Sequence, residues 1–296
     1  MKKQRPRHAS QPRKETRNLL RIAGLPAVSA LFATAPERVE RLFFDERAAP
    51  LLGSFCAVLA RAHKAYRLVG AAELERVAGT VLHGGVVALA QPRPVAILDV
   101  AEAARWAHDG DLQLLLDGIG NPHNLGAIAR TAAFFGLPRL VLSDHAEQAG
   151  PSDAAYRVAE GGLEHLALYR APRFAQTLKE LGRSYRVIGT AASKGTPLDA
   201  LKPDDRPVAL VLGNEEEGLP RATRAACDEV VTIRGSGRVQ SLNVSASAAI
   251  LVHALVRPTP HPSPLPEGER GLTGGVSDMP LVGQGGGRAK RGSARR

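Results

Sequence analysis

Between residues 111 and 257, short apolar runs alternate with amphipathic stretches. "LQLLL" at 112–116, "RLVLS" at 139–143, "YRVIGT" at 185–190, "VALVLG" at 208–213 and "EVVTI" at 229–233 have the pattern of strands buried on both faces. Residues 124–135, 152–160, 173–182 and 242–256 carry apolar positions at helical spacing, and "HLALY" at 165–169 adds a further short segment. Strands alternating with helices predict an α/β domain with a mostly parallel sheet covered on both faces. In such sheets ligands gather beyond the carboxyl ends of the strands.

The preceding segment, 18–91, has a shorter version of the same alternation. "AVSALFATAPERVERLFF" runs from helical spacing into an extended end, and "AHKAYRLV" and "GGVVALA" flank the acidic helix pattern "AAELERVAG". A small α/β domain is expected there. Two prolines and a charged, Ala-rich stretch make 92–110 a linker holding one helical segment, so the second domain spans 111–257. Beyond it, 258–296 is rich in Pro, Gly and Arg without periodicity and is expected to be a disordered tail.

Charge sharpens this division. Residues 1–17 hold seven Lys/Arg against one Glu and residues 257–296 hold seven against three acids, which leaves 25 of each sign between them. The net charge of +10 therefore sits in the two tails, an arrangement suited to salt-sensitive attraction to a polyanion such as RNA. Cys56 and Cys227 are too few and too far apart for a disulfide framework or a zinc site. No apolar stretch backs the basic N-terminus, and none approaches the ~18 residues of a membrane span. A cytoplasmic protein with no membrane association is expected.

Three polar clusters follow three of the strands. In "NPHNLGAIAR" (121–130), Asn124 is expected to cap the next helix, Gly126 to allow close approach, and Arg130 to offer a fork of donors to an anion. In "VLGNEEEGLP" (211–220), Gly213 and Gly218 suit tight turns, Pro220 suits the first residue of a helix, and Glu215 is the acid expected to face inward. In "IRGSGRVQSLNVSASAAILVHAL" (233–255), Ser241 and Asn243 can cap a helix and present hydroxyl and amide to a ligand. The small residues 245–249 would let another backbone pack closely.

Each cluster alone reads equally as a capped helix or a turn. In this order, each at a strand's carboxyl end, they resemble the three motifs of the SpoU (TrmH-type) RNA 2′-O-ribose methyltransferases of the SPOUT superfamily. The resemblance covers 111–256 and extends to the first domain, whose "HGGVVAL" resembles the close of the family's RNA-binding module. "NPHNLG", "HGG" and "AEGGLEH" look like a subgroup of tRNA/rRNA methyltransferases.

The resemblance implies a C-terminal trefoil-knotted domain preceded by an RNA-binding domain, a homodimer, and S-adenosylmethionine bound in the knotted loops, with no metal required. By position, Arg130 and Asn124 match the first motif, Glu215 the second, and Ser241 and Asn243 the third. Cofactor contacts are implied at Thr190, Ala191, Gly213, Ile233, Leu242 and Asn243. The implied reaction moves a methyl group to a ribose 2′-hydroxyl of tRNA or rRNA. A free guanidinium titrates at roughly 12 or above. Arg130 as proton acceptor thus requires a lowered pKa, whereas a charged Arg130 binding phosphate and developing alkoxide is physically favoured.

Two other functions remain open to the sequence: a non-catalytic RNA-binding or assembly protein on the same fold, and a doubly wound enzyme of small metabolites. The second lacks a Gly-rich dinucleotide turn after "LQLLL" and a P-loop.

Overall fold

The computed structural model describes residues 19–214 and 216–256. Both tails and the candidate Glu215 lie outside the described residues.

The first lobe is built from β1 (Leu20–Ala23), α1 (Leu25–Thr34), β2 (Val39–Phe44), α2 (Gly53–Arg61), β3 (Ala65–Leu68), α3 (Ala71–Ala78) and β4 (Val86–Ala90). Its sheet has the order β1-β4-β2-β3, antiparallel except for the β2–β3 pair. Leu42 and Phe44 on β2 point into the same core as Val28 and Leu31 of α1, while Phe43 and Val87 meet Leu74 of α3, so both faces of this sheet are covered. Strand β1 was not anticipated as an element of its own. With four residues and only Ile22 and Ala23 buried, it has too little alternation to register as a period.

The second lobe continues through β5 (Ala96–Ile97), α4 (Val100–Trp106), β6 (Gln113–Asp117), α5 (Pro122–Phe134), β7 (Arg139–Ser143), α6 (Asp153–Ala159), β8 (Ala167–Ala171), α7 (Phe174–Leu181) and β9 (Arg186–Thr190). It ends with β10 (Thr196–Pro197), β11 (Val208–Gly213), α8 (Arg221–Arg224), β12 (Glu229–Thr232) and α9 (Val244–Leu255). All eight strands join one sheet in the order β10-β12-β9-β11-β6-β7-β8-β5, and every pairing is parallel. Leu114, Leu115 and Leu116 on β6 are fully buried; Leu115 belongs to the apolar cluster with Trp106 and Leu178, its neighbours to the cluster with Ile128 and Leu251. That split is the physical reason the three leucines at 114–116 run without alternation.

The stretch expected to be a linker also contributes to this sheet: Ala96 and Ile97 pair with Tyr169 and Arg170 of β8. Two residues carry no periodic signal, and only the partner strand makes them a strand. The two lobes touch through α1, β1, α6 and the turn at 162–165. Arg21 donates its backbone N–H to Asp153 (2.9 Å), and Arg38 pairs with Glu164 at 2.6 Å. Among the described residues no helix is long and apolar enough to cross a membrane.

Candidate active site

The parallel sheet sends the chain out at the carboxyl ends of β6, β9, β11 and β12, and the three polar clusters follow β6, β11 and β12. The first differs in detail from its expected form. Helix α5 starts at Pro122, and its N-cap is Asn121, whose side-chain oxygen accepts from the N–H of His123 at 2.8 Å. Pro122 occupies the first helical position, where the missing N–H has no cost. Asn124 is thus not the cap. It stands one turn further in, buried, with its Oδ1 accepting a hydrogen bond from Asn243 Nδ2 at 3.1 Å.

Gly126 does allow close approach, and the partner is helix α6. A Cβ there would lie 2.5 Å from the carbonyl oxygen of Ala155 and 2.9 Å from Val158 Cβ, so it permits α5 and α6 to pack. Arg130 follows Asn124 by six residues, about 9 Å along the helix and about 120° around it. Its side chain is half exposed and pairs with Glu160 at 2.9 Å. Within one chain the structure therefore joins Asn124 to Asn243 and leaves Arg130 on a separate, solvent-facing side of α5.

In the second cluster, a Cβ on Gly213 would come within 2.7 Å of the Gly218 and Leu219 backbone, and Gly218 has φ +72°. Only glycine closes this turn. Pro220 is the N-cap of α8 rather than its first residue, because its ψ of 147° is extended and the helix begins at Arg221. Asn214, which sequence reasoning passed over, organises the turn. Its Nδ2 donates to the Gly118 carbonyl after β6 (2.9 Å), and its Oδ1 accepts from the N–H groups of Glu216 (2.8 Å) and Glu217 (3.0 Å). The buried Asp117 was missed as well and accepts from the Thr223 hydroxyl at 2.6 Å. An Asn immediately after a buried strand and before a Gly-closed turn was the available signal for the first. Nothing local marks the second.

In the third cluster, Asn243 is the N-cap of α9 and accepts from Ser245 N–H at 2.8 Å and Ser245 Oγ at 2.6 Å. One amide thus caps α9 with its oxygen and ties α9 to α5 with its nitrogen. Ser241 does not cap; it is exposed in the coil before the helix, beside Leu242, which is 48% exposed. The coil 233–242 makes no backbone–backbone hydrogen bond among the described residues.

Of the expected cofactor contacts, Thr190 donates its hydroxyl to the Val211 carbonyl (3.1 Å) and Ala191 donates its N–H to the Val231 carbonyl (3.0 Å). Both are committed to tying strands together at their leaving ends, so neither of these donors is available to a ligand. A cavity of about 660 Å³ lies elsewhere, between residues 198–208 and the last turn of α9, and reaches the expected set only at Ile233. We place the candidate site at the polar clusters, because that cavity is lined by the entering ends of the strands, with Leu112, Arg186 and Val208.

Residues 111–253 match the SpoU rRNA Methylase family, and residues 21–96 match the family described as RNA 2'-O ribose methyltransferase substrate binding. The chain is 33% identical over 243 residues to the 23S rRNA (guanosine-2'-O-)-methyltransferase RlmB of Bordetella pertussis, covering 80% of this chain and 96% of RlmB. It is 36% identical over 233 residues to the "Uncharacterized tRNA/rRNA methyltransferase YfiF" of Escherichia coli O157:H7, covering 78% of this chain and 66% of that relative's length. The solved AdoMet-bound rRNA methyltransferase of Sinorhizobium meliloti has the same fold, with a TM-score of 0.65 over 80% of this chain and 86% of its own, at 20% identity. The fold and site define an α/β protein of the methyltransferase kind, with a substrate-binding lobe in front. The chain belongs to the SpoU rRNA methylase family.

Proposed function

We propose that this protein transfers a methyl group from S-adenosylmethionine to a ribose 2′-hydroxyl of ribosomal or transfer RNA. The observation that carries the reading is the Asn124–Asn243 bond, which closes the first and third family motifs onto each other at the leaving end of the parallel sheet. The coil 233–242 fits the cofactor: its backbone donors and acceptors suit the polar edges of an adenosyl group and an amino acid, and Leu242 supplies an apolar surface. In this reading Ile233, Leu242, Asn243 and the Gly213 turn hold the cofactor, with Thr190 and Ala191 shaping the site by fixing where β9 ends against β11 and β12. When bound, S-adenosylmethionine supplies an electrophilic methyl group for the ribose oxygen and leaves as S-adenosylhomocysteine.

The chain's own residues then have positioning and charge to supply. Asn124 and Asn243 are rigid because each amide is already tied to the protein, and Ser241, exposed next to them, offers a hydroxyl to substrate or cofactor. Glu215, next to Asn214 in the sequence, is assigned to the site as the acid that matches the second motif. Arg130 is assigned to the RNA: as a cation it stabilises the developing 2′-alkoxide and the neighbouring phosphate, which favours loss of the hydroxyl proton to solvent. The first lobe, 18–91, binds RNA and 111–257 carries the chemistry, with the linker region helping to complete the large sheet.

The same reading includes a homodimer, supported by Phe134 at the end of α5 and Ile250 on α9, which are 83% and 40% exposed on helices that pack against each other. It includes the family's trefoil knot in the C-terminal part of the sheet and a cytoplasmic location beside the RNA. The test is methyl transfer from labelled S-adenosylmethionine to total RNA, read as label in alkali-resistant dinucleotides. Label there supports the reading. Micromolar cofactor binding with no transfer to any RNA would favour the non-catalytic RNA-binding protein instead.

A further inference from the structure

The segment Glu160–Glu164 is held in an unusual way. Glu160 ends α6 in the left-handed region, with φ 46° and ψ 44°, where a side chain is strained and glycine is not. Glycine would fit, and the next two residues are glycines. Gly161, at φ +96°, lies where a Cβ would be 2.8 Å from Ala30 Cβ and 3.1 Å from the Pro26 carbonyl of α1. Gly162 lies where a Cβ would be 2.9 Å from the Cα of Arg130 itself and 3.0 Å from the Ala129 carbonyl. The turn is thus wedged between the substrate-binding lobe on one side and the Arg130 backbone on the other.

Its far end is anchored to the first lobe. The buried carboxylate of Glu164 pairs with Arg38, and Arg93 donates to the carbonyls of Leu163 (3.0 Å) and Glu164 (2.9 Å). At the near end the strained Glu160 meets the Arg130 guanidinium at 2.9 Å, with the two side chains 48% and 57% exposed. An ion pair so exposed adds little to folding, so stability does not account for a side chain in a position suited to glycine. A guanidinium has five donors, and a carboxylate on one edge fixes the direction of the others.

We infer that Glu160 is a positioning residue for methyl transfer: its carboxylate aims the Arg130 guanidinium, and the Gly161–Gly162 turn ties that aim to the lobe that carries the RNA. The inference rests on the assignment of Arg130 to the reacting ribose. Glu160→Gly removes the carboxylate and relieves the strained φ, and Glu160→Gln removes only the charge. Both are expected to lower the single-turnover rate about tenfold, with KM for RNA within twofold, and Glu160→Gly is expected to melt at or above the wild-type temperature. In an Arg130→Ala background, assayed with enzyme in excess over RNA, Glu160→Gly is expected to have no further effect, as required of a residue acting only through Arg130.

An unchanged rate in both single variants would overturn the inference, as would the same tenfold loss with and without Arg130. A wild-type protein with no transferase activity would overturn the functional reading itself, and the inference with it. Wild-type activity alongside unaffected Glu160 variants removes the inference alone.

Discussion

The two ends of the large parallel sheet are built from different chemistry. At the leaving end most connections run through neutral groups, Asn243 to Asn124, Asn214 to the Gly118 carbonyl and Thr190 to the Val211 carbonyl, alongside the buried Asp117 that accepts from Thr223. At the entering end a lattice of charges does the same work. Arg186 reaches Glu229 and Asp204, while Arg206 bonds Asp204, Asp228 and the carbonyls of Gly182 and Tyr185. Neutral groups at the leaving end bias neither a cationic sulfonium nor a polyanionic RNA, and exposed cations such as Arg130 remain for the RNA. The entering end meets no ligand in this account and is free to use ion pairs.

If that contrast is correct, damage at the two ends has separable consequences. Arg130→Ala should have the largest effect, a loss of about 100-fold or more in the methyl-transfer rate with unchanged affinity for S-adenosylmethionine, measured by single-turnover kinetics and calorimetry. Loss of RNA affinity alone, with the rate at saturation intact, would move Arg130 from the chemistry to binding.

Asn243→Ala breaks the link to Asn124 and the α9 cap together. It should lower the rate on the order of tenfold to 100-fold through misplacement and cost about 1 kcal/mol of stability through the lost cap. Gly126→Ala drives a methyl group toward the Ala155 carbonyl and should destabilise by about 1–3 kcal/mol in denaturant titrations. Once folded, that variant should retain most of its activity.

The smallest effect belongs to the entering end. Hydrogen bonds from Arg206 hold the Asp204 carboxyl down at about 2, and Glu229 is lowered by its Thr196 and Arg186 partners. Folded-state values below the unfolded ones mean stabilisation that is fully present above about pH 5 and is lost as pH falls toward 2. Asp204→Asn should therefore lower the melting temperature modestly at pH 7, converge on wild type near pH 2, and leave methyl transfer at neutral pH unchanged. Equal loss of activity in Asp204→Asn and Asn243→Ala would erase the distinction between the two ends.

The sequence showed the fold more clearly than the site. Buried strands such as 112–116 and 208–213 stand out because burial on both faces demands apolar runs, and the α/β class follows from their alternation with helices. Ala96–Ile97 could not be read, since its strand character comes from β8 alone. At the site the residue types were legible but their partners were not. Asn124 was expected as a cap because Asn favours that position, yet Asn121 with Pro122 behind it had the stronger claim. The pairing of Asn124 with Asn243 spans 119 residues and that of Arg130 with Glu160 spans 30, and spacing along the chain carries no trace of either.

The central claim, methyl transfer to an RNA ribose, is tested most directly by mapping 2′-O-methyl groups across ribosomal and transfer RNA from cells with and without this gene. The account predicts at least one nucleotide that loses its mark in the deletion, regains it with the wild-type gene, and stays unmodified when only Arg130→Ala is supplied. Identical methylation maps in all three strains, with the protein present in the complemented ones, would contradict it.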